Sequence, residues 1–443
     1  MKKQLVIRRL AAALCASGLL SIPLQAMASA FQLFEQDGAS VGNYHAGYAA
    51  EADNASTAFY NPAGITRIKN PQLVVSGAAI TPSIKYTGTV ATNYINDSEV
   101  MGTTAQGGKF GFVPSLSYVT PINDYLGIGF SITVPFGADV DYGQSSVIRY
   151  AATESMVRVL DYSPSIGFKV TDKASLGVGF DIQRMWGEFD QVATVGDSTY
   201  DSVGINDADD TAYGYHLGGL YEFTPDTRIG ISYHSQVRHH LTGDSTFNGL
   251  LADPDQSVGW GPVYPSTDRM NITLPPYTAL SLFSHVHPQI AVMASVVYTE
   301  WDVIKDLVLQ DVAGIDDTFT ASDSIIIDIP QHYHNTINYS AGADFFVTNK
   351  IILRTGLGFD ESPVTSEYRS VQVPDSDRYI IALGAHYQYS KAFGFDVGWN
   401  HFFFKDATIN PPPQNAGAQQ TDTNGEVHSS ADVLSGQITW SFV

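Results

Sequence analysis

The 443-residue chain contains one cysteine, Cys15, and little basic charge: 23 Lys and Arg stand against 45 Asp and Glu. Beyond residue 28, no stretch approaches the roughly 18 consecutive apolar residues of a membrane-crossing helix. The cysteine count excludes a disulfide framework. The acidity argues against a nucleic-acid partner, which would need a cationic face for phosphates. No Gly-x-Ser-x-Gly elbow joining a strand to a helix is read, and the scattered Ser, His and Asp residues define no hydrolase triad. Nothing in the sequence requires a cofactor or points to an enzyme.

What is present begins with Lys2, Lys3, Arg8 and Arg9, then a mostly apolar run from Leu10 to Leu24. Ala26-Met27-Ala28 forms an A-x-A cleavage site, so residues 1–28 read as a secretory signal and Ser29 as the mature start. Cleavage removes the only cysteine and four basic residues, taking the net charge from −22 to −26. Ala12-Ala13-Leu14-Cys15 is a poor lipidation box, because the apolar run continues past it. The mature chain thus enters an oxidising compartment without a disulfide.

From Gln72 onward, short segments alternate between apolar and small or polar residues. Between Lys391 and Phe404, Phe393, Phe395, Val397 and Trp399 share one face of a strand, and Gly394, Asp396, Gly398 and Asn400 the other. Leu126 to Val134, Leu176 to Gln183 and Leu434 to Phe442 repeat the pattern. Short turns fall at 120–124, 171–173, 224–226, 287–289, 348–350 and 390–391. Long polar connections fall near 88–109, 139–154, 191–212, 243–267, 303–330, 361–377 and 405–431. Such alternation of short and long connections is the pattern of an outer-membrane barrel, whereas a soluble sandwich has no reason to place its long loops at one end. The expected fold is all-β: a fourteen-stranded antiparallel transmembrane barrel over 71–443, in the outer membrane of a Gram-negative cell.

Glycines 127, 129, 177, 179, 356 and 358 lie on the polar faces of strands. Glycine there marks close approach by other backbone or a ligand, so the lumen has room for a plug or passenger. Residues 29–70 do not read as strand. They are rich in Gly, Ala and aromatics and suit a compact plug, or hatch, inside the barrel.

Ser29-Ala30-Phe31-Gln32-Leu33, Ala49 to Asp53 and Tyr60-Asn61-Pro62-Ala63-Gly64 resemble the FadL family of long-chain fatty acid and hydrocarbon transporters. Pro114 to Tyr118, Val134-Pro135-Phe136-Gly137 and Tyr298-Thr299-Glu300-Trp301 extend the likeness. The resemblance implies a hatch carrying Asn61, Pro62 and Ala63, capture of hydrophobic molecules by outer loops, and an inner site near Phe31. It also implies lateral release beside a kink at Pro135, Phe136 and Gly137. One departure is Val443, which follows the Phe442 that would otherwise end the chain on an aromatic.

The sequence agrees with the kink, since proline gives no ladder donor and glycine bends a strand. Regular pairing should therefore fail after Val134; the alternative is a strand that simply ends at the rim. The 243–267 connection carries Phe247, Leu250, Leu251, Val258, Trp260, Val263 and Tyr264, apolar enough for substrate capture or for packing loop on loop. Arg184 and Arg354 interrupt strands and are expected to pair with lumen carboxylates or with a substrate carboxylate. His239-His240, His285-Val286-His287 and His332-Tyr333-His334 sit near strand ends or turns and offer no ligand spacing, so no metal site is assigned. Asp207, Asp209, Asp210, Asp316 and Asp317 read as solvated loop charge. The expected partners are hydrophobic small molecules, outer-membrane lipid and lipopolysaccharide, met by a monomer. An aromatic-hydrocarbon channel, a lipid hydrolase and a polar porin are the competing functions.

Overall fold

The computed structural model describes residues 30–94, 103–252, 264–318 and 320–443. The expected signal, residues 1–28, lies outside them. Fourteen antiparallel strands close into a barrel. They are β1 Gln72–Thr92, β2 Gly111–Pro121, β3 Leu126–Asp141, β4 Glu154–Lys169, β5 Ala174–Ala193, β6 Ser202–Glu222 and β7 Thr227–His234. The second half comprises β8 Tyr277–His287, β9 Ile290–Thr299, β10 Thr336–Phe346, β11 Ile351–Asp360, β12 Arg378–Gln388, β13 Phe393–Phe404 and β14 Gln419–Ser441. Each pairs with the next, and β1 closes on β14 from Gln72↔Ser441 to Thr92↔Thr421. No helix among the described residues is long and apolar enough to cross a membrane. A closed wall needs none, because its backbone groups are paired strand to strand.

The alternation is inside out relative to a soluble sheet. Along β5, Leu176, Val178 and Phe180 are exposed, while Gly177, Gly179 and Asp181 are buried. Along β13, Phe395 and Val397 face outward, and Asp396, Gly398 and Asn400 face the lumen. Apolar residues that face out and polar residues that face in suit a lipid solvent around a filled interior. Exposed Tyr125, Phe223, Tyr387 and Tyr389 lie near the short turns, and Tyr298, Tyr379 and Phe403 lie toward the other rim. Amphipathic rings of this kind favour the membrane interfaces.

The six short turns occur where the sequence places them, but the long connections are more structured than expected. β5 runs to Ala193 and β6 starts at Ser202, so most of 191–212 is strand; β14 likewise starts at Gln419. Val237–Asn248 pairs with Ser266–Leu274 and, from Asp209↔Thr242 to Val203↔Asn248, with β6. Asp306–Ile315 and Ala321–Pro330 form a second outer hairpin. Much of these extensions is polar and reads as loop; where the outer hairpins keep a two-residue rhythm, as at Met270, Ile272 and Leu274 or Ile325, Ile327 and Ile329, the apolar face is buried against neighbouring elements. Asp207, Asp209 and Asp210 therefore belong to β6 rather than to a loop, and His239-His240 lie within an outer strand. Asp316 does lie in a turn, where it accepts hydrogen bonds from Thr318 and Thr320.

Candidate functional site

Residues 30–71 enter the lumen before β1, and residues 30–50 are buried throughout. They fold as short turns, Ser40–Asn43, Tyr48–Glu51, Thr57–Tyr60 and Pro62–Arg67. Asn61 is the N-cap of the last: its Oδ1 accepts from Ala63 N at 3.1 Å, and Pro62 occupies the first helical position, where its missing N–H costs nothing. The Asn61 Nδ2 donates to Ala49 O at 2.5 Å and to Gly219 O of β6 at 3.1 Å. One fully buried amide thus caps a helix, ties two turns of the plug together and ties both to the wall. Ala63 packs with Ala46, Ala50, Leu220 and Phe283.

Gly38-Ala39-Ser40-Val41-Gly42 has the spacing of a nucleophile elbow, but it forms a one-turn helix in the plug with no strand before it. Ser40 Oγ lies 2.8 Å from His45 Nδ1. Glu35 stands 3.9 Å from His45 Nε2, too far for the hydrogen bond that orients a catalytic base, and all three side chains are buried.

The wall comes close because it lacks side chains at the contact. A Cβ at Gly177 would collide with Pro62 and Ala63 backbone, one at Gly218 with the Asn61 side chain, and one at Gly230 with the Ala49 carbonyl. Gly356 is likewise filled by the Asn43 carbonyl, and Gly384 by Gly42 at 2.7 Å. Gly179 differs, since its space is taken by His216 of the wall itself. Arg228 of β7 adds a cationic clamp. Its Nε donates to Ala50 O at 2.6 Å, its Nη2 donates to Glu51 O, and its guanidinium lies 3.9 Å above the Phe283 ring. The Glu51 carboxyl is held well above the usual carboxylate range, first by burial and then by Asp53.

The wall is interrupted beside this plug. β2 and β3 pair from Pro121↔Gly127 to Leu116↔Ile132 and then part, while Gly111–Ser115 remain paired with β1 alone. β3 does not end there: it continues to Asp141, paired with β4 after a register shift between Thr133 and Phe136. One extra β3 residue is accommodated, as in a bulge. Gly108 bridges Val140 and bounds the break on its outer side.

The free edge of β3 is covered by the N-terminal segment. Leu33 N donates to Pro135 O at 2.9 Å, and Gly137 N donates to Phe31 O at 2.7 Å. The Gln36 amide acts as a substitute peptide group, donating to Val134 O at 2.7 Å and accepting from Val134 N at 2.9 Å. Ala30 N donates to Asp375, whose partner Arg378 is fully buried and also bound to Asp360. Gln36, Asp375 and Arg228 have no distinguishing sequence pattern; only register brings them to this place.

Phe31 packs edge-on against Trp301 at 5.0 Å and lies 5.9 Å from Phe136, and Trp301 in turn lies 5.9 Å from Tyr333. These rings belong to one continuous buried cluster. It rises through Met185, Leu241, Met270 and Ile272 to Val312, Ile325 and Ile327 of the second outer hairpin. Phe31, Phe136 and Gly137 are therefore brought together, with Pro135 bound to Leu33, whereas Asn61 to Ala63 meet another part of the wall, at Gly177, Gly218 and Gly219. Phe247 is not part of this group: it is buried among Ala252, Ala313 and Ile315, with Leu251 packed against them. Leu250 opens the one-turn helix beside it, and a cavity of about 20 Å³ lies against Phe247, Val312, Ile325 and Ile327. Trp260 falls outside the described residues.

Both arginines singled out in the sequence have protein partners. Arg354 binds Asp396 at 2.5 Å and Asp344 at 3.4 Å; Arg184 binds Asp209 and Thr211 near the outer rim.

Residues 19–442 match the family described as outer membrane protein transport protein (OMPP1/FadL/TodX). A long-chain fatty acid transport protein of Salmonella typhi is 25% identical over 414 residues, covering 88% of this chain and 91% of that one. Outer membrane protein P1 of Haemophilus influenzae is 28% identical over 423 residues, covering 87% and 88%. Among solved structures, a Pseudomonas aeruginosa FadL homologue superposes with a TM-score of 0.80 at 24% identity, over 93% of this chain and all of that one. The Ralstonia pickettii toluene transporter TbuX gives 0.65 at 16% identity over 93% and 100%. These structural likenesses establish the shared barrel fold.

Proposed function

The chain belongs to the OMPP1/FadL/TodX family of outer membrane transport proteins, and from that premise we propose that it admits long-chain fatty acids or related hydrophobic molecules by passive diffusion. One observation carries the reading: the apolar cluster that includes the outer hairpins reaches Phe31, Phe136 and Trp301, where β2 and β3 part, and continues into the plug at Phe34, Phe59 and Tyr60. A lipid tail loses about 0.8 kcal/mol for each methylene moved from apolar surroundings into water, so about 12 kcal/mol opposes a fifteen-methylene chain in a wet pore. A greasy track that opens sideways into lipid avoids that exposure. In this reading residues 1–28 direct export and residues 29–70 form the hatch. Asn61, Pro62 and Ala63 seat the hatch, and Pro135, Phe136 and Gly137 frame the exit. Phe247, Leu250, Leu251 and Trp260 contribute to capture at the outer surface. The protein works as a monomer among outer-membrane lipid and lipopolysaccharide, without enzymatic chemistry.

Aromatic hydrocarbons are the second reading, supported by the ring cluster at the break and by the toluene transporters that share the fold. The test is uptake of labelled oleate and of labelled toluene by cells that lack their own carriers and express this chain. Oleate accumulation above the empty vector supports the first reading, and toluene alone supports the second. Accumulation of neither at normal surface abundance refutes both.

A further inference from the structure

The buried interior is anionic. Among the described residues three arginines and no lysine are buried, against eleven aspartates and glutamates. Each arginine is already committed: Arg354 to Asp396 and Asp344, Arg378 to Asp360 and Asp375, and Arg228 to the Ala50 and Glu51 carbonyls. The buried histidines are committed too. His45, His216 and His239 face Glu35, Asp181 and Asp210, and His234 is stacked between His216 and Tyr277. A carboxylate brought to Phe31 would find no spare buried cation, and burying an uncompensated charge is costly. It would instead meet negative charge, since Asp375 accepts from Ala30 N and Glu35 is buried in the same plug segment.

Two rings of the Phe31 cluster carry donors that no protein group accepts. Trp301 Nε1–H and the Tyr333 hydroxyl are buried without a hydrogen-bond partner, on rings whose centres lie 5.9 Å apart. Buried orphans of this kind are uncommon. Water suits them poorly, because it needs two to four polar partners and Trp301 is flanked by Phe31 and Phe136. An indole N–H can only donate, so its missing partner is an acceptor. Asp375 lies within electrostatic reach of the Tyr333 hydroxyl, which disfavours a second anion there. Resting on the uptake reading above, we infer that Trp301 and Tyr333 form a head-group subsite for a long apolar chain bearing an uncharged oxygen acceptor: an ester, an alcohol, or a fatty acid in its protonated form. The chain enters by displacing Phe31 from the Trp301 edge. A site built to hydrogen-bond one group discriminates against the analogue that lacks it, so a bare alkane is the poorer ligand.

The test is equilibrium retention of radiolabelled methyl palmitate, palmitate and hexadecane by the full-length protein in amphipol, with empty amphipol subtracted, at about pH 8, where palmitate is ionised. The ester should bind about tenfold tighter than either competitor, as two recovered hydrogen bonds allow. Tyr333→Phe removes one hydroxyl and keeps the ring; the ester-to-hexadecane affinity ratio should fall about threefold. Adding Trp301→Phe should bring that ratio close to unity, while Tyr379→Phe on the exposed outer rim should leave it unchanged. A heat-modifiable folded band checks that each variant is a closed barrel, and if the double variant does not fold, Tyr333→Phe alone decides. Palmitate binding more tightly than its ester, hexadecane binding as tightly, binding by none of the three, or an undiminished ratio in Tyr333→Phe overturns the assignment. Failure of the uptake reading looks different: the ester preference would hold in amphipol while cells expressing the chain accumulated neither oleate nor toluene.

Discussion

Replacing Asn61 with alanine removes three contacts at once. Ala63 N loses its cap, and the Ala49 and Gly219 carbonyls lose a donor, all within buried surroundings. Loss of the cap costs about 1 kcal/mol. The Ala49 carbonyl left unsatisfied costs about 1–3 kcal/mol, and Gly219, paired on both sides within the wall, loses only a second bond worth about 0.5–1.5 kcal/mol, so the plug loses roughly 2–6 kcal/mol of its hold on the wall. The lumen glycines and Arg228 still confine it, so the barrel should assemble while the plug loosens. Oleate uptake should fall at normal surface abundance, and limited proteolysis should cut residues 40–70 faster. Asn61→Asp separates the parts of the effect. The carboxylate still accepts from Ala63 N and restores the cap, but it places negative oxygen against the Ala49 and Gly219 carbonyls. If the wall tie matters, the aspartate variant should be no better than the alanine variant. Rescue by aspartate would show that capping alone is at stake, and wild-type uptake by the alanine variant would refute a gating role for Asn61.

Gln36→Leu leaves Val134 N–H and C=O without their substitute peptide partner; permeability to a bulky hydrophobic dye should rise, with the barrel's melting temperature within a few degrees of wild type. Gly177→Leu drives a side chain into the Pro62–Ala63 backbone; the heat-modifiable folded band on a denaturing gel should disappear, whereas Gly219→Leu, whose nearest neighbour is a flexible Ile231 methyl at 3.2 Å, should retain it. Gly137→Trp meets Leu33 Cδ1 at 3.2 Å from its first carbon and should block uptake while ligand binding in detergent persists; full transport by this variant would make the lateral route untenable there.

The barrel was legible because lipid is an unusual solvent. Leu176-Gly177-Val178-Gly179-Phe180 states which face is which without reference to any other strand, and the short turns confirm the direction of travel. The same reasoning fails at Asp207-Ala208-Asp209-Asp210, where only Ala208 is buried and three carboxylates make a β6 strand look like a loop. Pro135 and Gly137 announced an irregularity, but not that β3 continues through it to Asp141. Continuation depends on what meets the free edge, and Phe31, Leu33 and Gln36 lie about a hundred residues away in sequence. Asn61 could be found from its neighbours Pro62 and Ala63. Gln36 has no such local signature, since only the fold brings its amide to Val134.

The break in the wall and the plug in the lumen explain each other. A strand edge left unpaired in hydrocarbon is expensive, several kcal/mol for each exposed peptide group, and proline at 135 already removes one donor that any β2 partner would need. The N-terminal segment answers that demand at four points, using two backbone contacts and both ends of one glutamine side chain. It cannot be a permanent seam of the barrel kind. β1 and β14 share a register of twenty-one residue pairs, whereas the segment offers β3 only this patch. The hold is strong enough to keep β3 in the wall and local enough to yield without unzipping a neighbouring strand. The Phe31–Trp301–Phe136 rings lie on that same patch; in the function proposed above, a hydrophobic molecule arriving along the apolar cluster would compete with Phe31 for its packing, and so bear directly on the element that covers the proposed exit.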